Sequence, residues 1–212
     1  MTRRGECAEI IMRSHVMAVI RLSAAPTTLG AAQALITGGM PVIEFSFSGA
    51  AALDGLREFR HSQRALVGAG TIRSIGDAEV AVEEGAQFLV GPTFDASLSR
   101  WAKAKDILYV PGAFSPLEID AAARAGAELV KVFPARTLGP QYVRDLLAPM
   151  PDLRLVPTGG VDQRNAREFL MAGAVAVAIG TSLVNEKSVA DPEDLTAATG
   201  RLLGALKEAL TD

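Results

Sequence analysis

Residues 127–135 read AELVKVFPA, and Lys131 is a charged side chain in the middle of the apolar stretch LVKVF, which otherwise looks like a buried strand. A lysine there either carries its ammonium to water along its own aliphatic stem or loses the proton to escape the low dielectric. The second outcome makes it a nucleophile towards carbonyl carbon, because only the neutral amine adds. Its reference pKa of about 10.4 leaves almost none neutral at pH 7, and burial lowers that by up to about 3–5 units. Val130, Val132 and Phe133 provide an apolar setting of this kind. Proton transfer would need a second group. Glu44, at the end of the apolar stretch VIEF (42–45), offers a carboxyl whose pKa burial would raise towards neutrality. The competing reading is a Glu44–Lys131 salt bridge that only plugs the core.

Other residue types limit the chemistry. Cys7 is the only cysteine and His15 and His61 are the only histidines, so neither a disulfide framework nor a cluster of soft or imidazole metal ligands can be assembled; no metal and no cofactor is expected. Both histidines fall where helices are expected and are read as structural or solvated. With 212 residues, 49% of them hydrophobic, and a formal net charge of −3, the chain is long enough for one sizeable core and has no basic field for nucleic acid or an anionic membrane. The apolar stretches are too short to span a bilayer, and MTRRGECAEIIMR lacks the apolar core and cleavage site of a signal peptide. A cytoplasmic location is expected.

The elements that must hold Lys131 and Glu44 are legible in the spacing. Eight short aliphatic runs recur: 17–20, 42–45, 65–69, 87–91, 107–110, 128–133, 153–157 and 175–179. Between them lie alanine-rich stretches with helical periodicity, and the alternation implies a parallel sheet with helical crossovers. Near-continuous apolarity fits strands buried on both faces. Helices are expected to stop at Gly38-Gly39, Gly85, Gly126 and Gly173, each just before a strand. One is expected to start at Ser115-Pro116-Leu117-Glu118, an N-cap, a proline at N1 and a capping-box glutamate, and another at Asp191-Pro192. The pattern predicts a single (β/α)8 TIM barrel domain over residues 1–212 with a short N-terminal helix around residues 5–14. A doubly wound open sheet is the alternative.

In such a barrel, chemistry sits at the C-terminal ends of the strands. Arg21, Glu44, Thr71, Pro92, Lys131 with Phe133, Thr158-Gly159-Gly160 and Gly180-Thr181-Ser182 all fall there. The bare backbone after the last two strands suits a phosphate, although ordinary βα turns would look the same. Gly68-Ala69-Gly70-Thr71 lacks the third glycine of a dinucleotide fingerprint. Trp101 is expected on the outside of a helix and carries no assigned role.

The segments VIEFSF, VGAGT, FLVGP, VPGAFSPLEI, VKVFPA, PTGGV and IGTSLV, in this order over roughly residues 10–185, resemble the 2-keto-3-deoxy-6-phosphogluconate (or 6-phosphogalactonate) aldolase and 4-hydroxy-2-oxoglutarate aldolase family. The resemblance implies a class I aldolase on a (β/α)8 barrel, assembled as a homotrimer and acting on a small-molecule 2-keto acid. It implies Lys131 as the Schiff-base lysine and Glu44 as the acid/base. Thr71 would hold the pyruvate carboxylate, and Pro92 and Phe133 would be pocket walls. Gly159, Gly160 and Ser182, with the neighbouring Thr158 and Gly180, would take the phosphate or the far end of the substrate.

One departure bears on the substrate. The phosphogluconate type has a Glu-x-Thr-x-Arg pattern, whereas this chain reads Glu44-Phe45-Ser46-Phe47-Ser48, and serine cannot bind an anion as arginine does. Arg21, after the first strand, resembles the arrangement of the phosphogalactonate type instead, as does LGPQYVRDL. The expected reaction gives pyruvate and glyceraldehyde 3-phosphate from a phosphorylated sugar acid. The alternatives are 4-hydroxy-2-oxoglutarate cleavage to pyruvate and glyoxylate, a phosphate-binding isomerase, epimerase or synthase in which Lys131 pairs with an anion, and a catalytically silent sugar-acid-binding barrel.

Overall fold

The computed structural model describes residues 2–211. Its first helix, α1 (Arg3–Ser14), starts where Thr2 accepts from the Gly5 N–H and stops at His15, which takes a left-handed conformation (φ 56). His15 thus caps the expected helix rather than lying within it, and its Nδ1 is 3.1 Å from the Val175 carbonyl oxygen. His61 likewise lies just beyond a helix, α3 (Ala52–Phe59).

Each of the eight apolar runs contains a strand. These are β1 (Val16–Ile20), β2 (Val42–Ser46), β3 (Leu66–Gly70), β4 (Phe88–Val90), β5 (Leu108–Val110), β7 (Val130–Val132), β8 (Leu155–Pro157) and β9 (Val177–Ile179). A ninth, the two-residue β6 (Gly112–Ala113), was not evident in the sequence. It is set off from β5 at Pro111, which has no N–H to donate to a neighbouring strand. All pairings are parallel. One sheet of six curls in the order β5-β4-β3-β2-β1-β9, so the last strand lies beside the first; a second sheet of three runs β6-β7-β8. The two approach each other at both edges. The Pro111 carbonyl accepts from the Lys131 N–H at 2.9 Å, and at the far side Thr158 and Ala178 form a lone parallel bridge, with the Val175 N–H donating to the Leu155 carbonyl.

Between the strands run α2 (Ala25–Thr37), α3, α4 (Ile75–Glu83), α5 (Ala96–Ala104), α6 (Pro116–Arg124), α7 (Gly139–Leu147) and α8 (Ala166–Met171), followed by α9 (Glu186–Val189) and α10 (Pro192–Thr211). The stops at Gly39, Gly85, Gly126 and Gly173 have positive φ, as left-handed helix caps require. Ser115 and Glu118 close the capping box of α6, and Asp191 accepts from the Asp194 N–H at the start of α10. Among the described residues, no helix is long and apolar enough to cross a membrane.

Two buried clusters divide the core. One lies between strands and helices and contains Ala18, Ile20, Ile43, Phe45, Val130 and Val132; Trp101 packs half-buried against it. The other fills the concave side of the strands with Met17, Val19, Val42, Leu66, Phe88 and Leu129, and α1 covers its lower end with Cys7, Ala8 and Ile11. Strand alternation separates the two, since neighbours along a strand point to opposite faces.

Candidate active site

That alternation fixes where the two ionisable groups point. On β2, Ile43 and Phe45 face the helices and Val42 faces inward, so Glu44 also faces inward; on β7, Val130 and Val132 face outward and leave Lys131 on the inner face with Leu129. Both are buried, at 1% and 6% exposure, above the layer that α1 closes. They line one cavity with Val19, Arg21, Phe133 and the loops after β8 and β9.

Burial pushes the Lys131 amine below its ordinary value; Glu44 opposes this and Arg21 adds to it. Burial pushes the Glu44 carboxyl up, against the lowering pull of Lys131 and Arg21. Both shifts favour the neutral forms. Among the described residues, no Glu44–Lys131 ion pair closes within 4.0 Å, and Glu44 Oε2 is buried without a hydrogen-bond partner. A plugging salt bridge would have satisfied both groups, and the Glu44 oxygen is left without a partner. The Phe133 ring lies 4.9 Å from Lys131 Nζ and walls it.

The neighbouring β3 explains why Glu44 fits. Gly68 and Gly70 share its inner face, and a Cβ on Gly70 would overlap Glu44 Oε1, while one on Gly68 would overlap the Phe88 ring. The glycines that fell short of a dinucleotide fingerprint are therefore spaces for two side chains. Gly70→Ala is expected to push the carboxyl out of position and cut turnover at least tenfold while the circular dichroism spectrum stays that of the folded chain. Wild-type turnover in that variant would remove the claim that this gap positions Glu44.

Thr71 lies immediately beyond Gly70 with φ 63, an uncommon conformation for a β-branched residue. Its hydroxyl is 2.7 Å from Ser46 Oγ, which is 2.8 Å from Ser48 Oγ. The serine standing where arginine was expected thus belongs to a chain of three hydroxyls. Thr71 and Pro92 lie at the ends of neighbouring strands and stand apart from the cavity lining, Pro92 with its carbonyl against Gly112. Arg21, Phe133, Thr158, Gly159, Gly160, Gly180 and Ser182 all line it. Gly159 and Gly160 have φ of 85° and 84°. Ser182 Oγ donates to the Val161 carbonyl at 2.9 Å, and Thr158 Oγ1 to that of Val156 at 3.1 Å, so both hydroxyls are also structural.

Sequence reasoning missed Arg136 and Asp162 in the lining. The signal for Arg136 was available: a cation in FPAR, on the loop that follows the strand bearing the lysine. Asp162 is held below the usual carboxylate range, chiefly by its bond to Arg164.

Curled parallel strands carrying an inward lysine, an inward carboxyl and bare loops at one end define a pocket suited to carbonyl chemistry, and the comparisons agree. Residues 7–199 match the family model described as KDPG and KHG aldolase, KDPG being 2-keto-3-deoxy-6-phosphogluconate. The chain belongs to this family. The 2-dehydro-3-deoxy-phosphogluconate aldolase of Treponema pallidum (strain Nichols) is 33% identical over 184 residues, covering 86% of this chain and 88% of that protein. The probable 2-dehydro-3-deoxy-6-phosphogalactonate aldolase of Rhizobium meliloti (strain 1021) is 31% identical over 181 residues, covering 81% and 82%. Among solved structures, the KDPG aldolase from Legionella pneumophila with pyruvate captured at low pH as a covalent carbinolamine intermediate has a TM-score of 0.85 and 25% identity, over 92% of this chain and 97% of that one.

Proposed function

We propose that this chain is a Schiff-base aldolase that cleaves a 2-keto-3-deoxy-6-phospho sugar acid, of the phosphogluconate or phosphogalactonate type, to pyruvate and glyceraldehyde 3-phosphate. The observation that carries the reading is the pairing, in one cavity, of a buried amine shifted down with a buried, unpartnered carboxyl shifted up. Neutral Lys131 Nζ attacks C2 of the 2-keto acid, and loss of water gives the iminium. The C4 hydroxyl gives up its proton, the C3–C4 bond breaks, and its electrons move to the iminium nitrogen as the aldehyde leaves. The resulting enamine takes a proton at C3, and water releases pyruvate and the free amine. Glu44 moves the protons, as a carboxyl that burial holds above its ordinary pKa can.

In this reading Phe133 walls the pocket, while Thr71 and Pro92, at the strand ends beyond the lining, orient the pyruvate carboxylate and shape the rim. Arg21, Thr158, Gly159, Gly160, Gly180 and Ser182 receive the rest of the substrate. The two sheets are taken as one (β/α)8 barrel domain over residues 1–212, of which Met1 and Asp212 lie outside the described residues. The contacts through Pro111 and between Thr158 and Ala178 support that closure. A cytoplasmic homotrimer is part of the same proposal. Ser48 in place of arginine keeps a second substrate in view, 4-hydroxy-2-oxoglutarate giving pyruvate and glyoxylate.

Pyruvate plus borohydride should leave a stable reduced adduct on the protein, since only an imine is trapped this way, and pyruvate should appear from a phosphorylated 2-keto-3-deoxy acid with EDTA present. An isomerase or a silent binding barrel would give neither. Release of pyruvate from 4-hydroxy-2-oxoglutarate alone would select the second substrate.

A further inference from the structure

Arg136 opens onto the cavity from the short 3-10 turn Ala135–Thr137, directly after Pro134. That turn is tied to the loop after β8 by two backbone bonds of 2.8 Å, the Ala135 N–H donating to the Thr158 carbonyl and the Arg136 N–H to that of Gly159. Gly160 has φ 84 and no side chain, and the Arg136 stem uses the space; a Cβ there would overlap Arg136 Cβ and stand 2.7 Å from its Nε. The side chain therefore runs across Gly160 beside the cavity it lines, from a backbone that is tied down, and is itself exposed. Among the described residues no carboxylate pairs with it within 4.0 Å, and Asp162, which shares the lining, is engaged by Arg164 at 2.6 Å. A positive charge left without a carboxylate partner beside a pocket is suited to meet an anion.

Resting on the aldolase reading, we infer that Arg136 is a specificity-determining residue: its guanidinium binds the terminal phosphate of the substrate, while Arg21 serves the reacting end of the same molecule. The division of labour follows from position. Arg21 leaves β1 beside β2, which carries Glu44, and its charge acts on both Glu44 and Lys131; Arg136 acts on neither. The two cations therefore lie at different depths, one near the carbons that react and one beyond them. The planar fork of an arginine matches a phosphate in two parallel hydrogen bonds, which a serine at position 48 cannot supply. A terminal dianion gains more from this cation than the terminal hydroxyl of the unphosphorylated acid.

The test compares kcat/KM for a 2-keto-3-deoxy-6-phospho acid with that for the same acid lacking the phosphate, in wild type, Arg136→Ala and Arg136→Lys. In wild type the phosphorylated substrate should be preferred, and the preference should shrink with added salt because the cation is exposed. Arg136→Ala should lower that preference about tenfold or more, the worth of one charge-assisted bond, mainly through KM. Arg136→Lys should keep part of it, having the charge without the fork. Should wild type prefer the phosphate and Arg136→Ala keep the same ratio, or lose both substrates equally, the inference is wrong and the aldolase reading stands. A wild type indifferent to the phosphate removes both the inference and the phosphorylated substrate. Absence of pyruvate from either acid would instead bring down the aldolase reading itself.

Discussion

Lys131→Met is expected to abolish pyruvate release and borohydride trapping and, at neutral pH, to raise the melting temperature. Methionine keeps an unbranched stem of similar reach and removes only the amine, so the nucleophile goes while the concave packing remains. The stability change follows by linkage. The folded state holds the Lys131 amine below its ordinary 10.5, so the unfolded chain binds this proton more tightly. Stability is therefore lost as pH falls from above the unfolded value towards the folded one, and stays lost below it. At pH 7 the wild type carries that cost and the methionine variant does not; at pH well above 10.5 the difference should fade. A buried ion pair predicts the opposite sign, because removing one partner strands the other charge. Thermal melts of both proteins across this range, beside mass spectrometry of the trapped adduct, decide between the two. An adduct on another lysine, or a less stable variant at pH 7, would overturn the account of Lys131.

How much of this was legible beforehand depends on the range of the contacts involved. The strands announced themselves because aliphatic runs and their flanking glycines are local, and the capping box at Ser115 is contained in four residues. Once β2 and β7 are placed, alternation along them puts Glu44 and Lys131 on definite faces. What no local pattern gave was that those faces converge, since Glu44 belongs to the six-stranded sheet and Lys131 to the other. The reason for Gly68 and Gly70 was hidden in the same way: the side chains that need their space, Phe88 and Glu44, belong to β4 and β2. The break at Pro111 could have been foreseen from the missing N–H, but only once the pairing partners of β5 and β6 were known to differ. Arg136 was not singled out because what it lies against, Gly160 and the Gly159 carbonyl, is more than twenty residues on.

Glu44→Gln should cost about 10²–10⁴ in turnover, the usual scale for one positioned acid/base group. The amide keeps the shape that the Gly70 gap accommodates, so the loss reports proton transfer and not packing. Imine trapping should slow without disappearing, since Lys131 still attacks the ketone. Turnover within a factor of two of wild type would take Glu44 out of the mechanism. The same variant reads the carboxyl's environment through stability. Folding raises the Glu44 pKa above its ordinary 4.5, so the contribution to stability is present below that value and is lost as pH rises through the folded one. Glutamine has no proton to lose and escapes this penalty. It should therefore melt above wild type at pH 7, with the gap closing as pH falls below about 4, where both side chains are neutral. With Lys131→Met, the two variants form a matched pair: each removes one reacting group and each should stabilise. If instead each destabilises at pH 7, the groups are ionised partners, and the neutral amine that the attack on C2 requires is not the resting state of the enzyme.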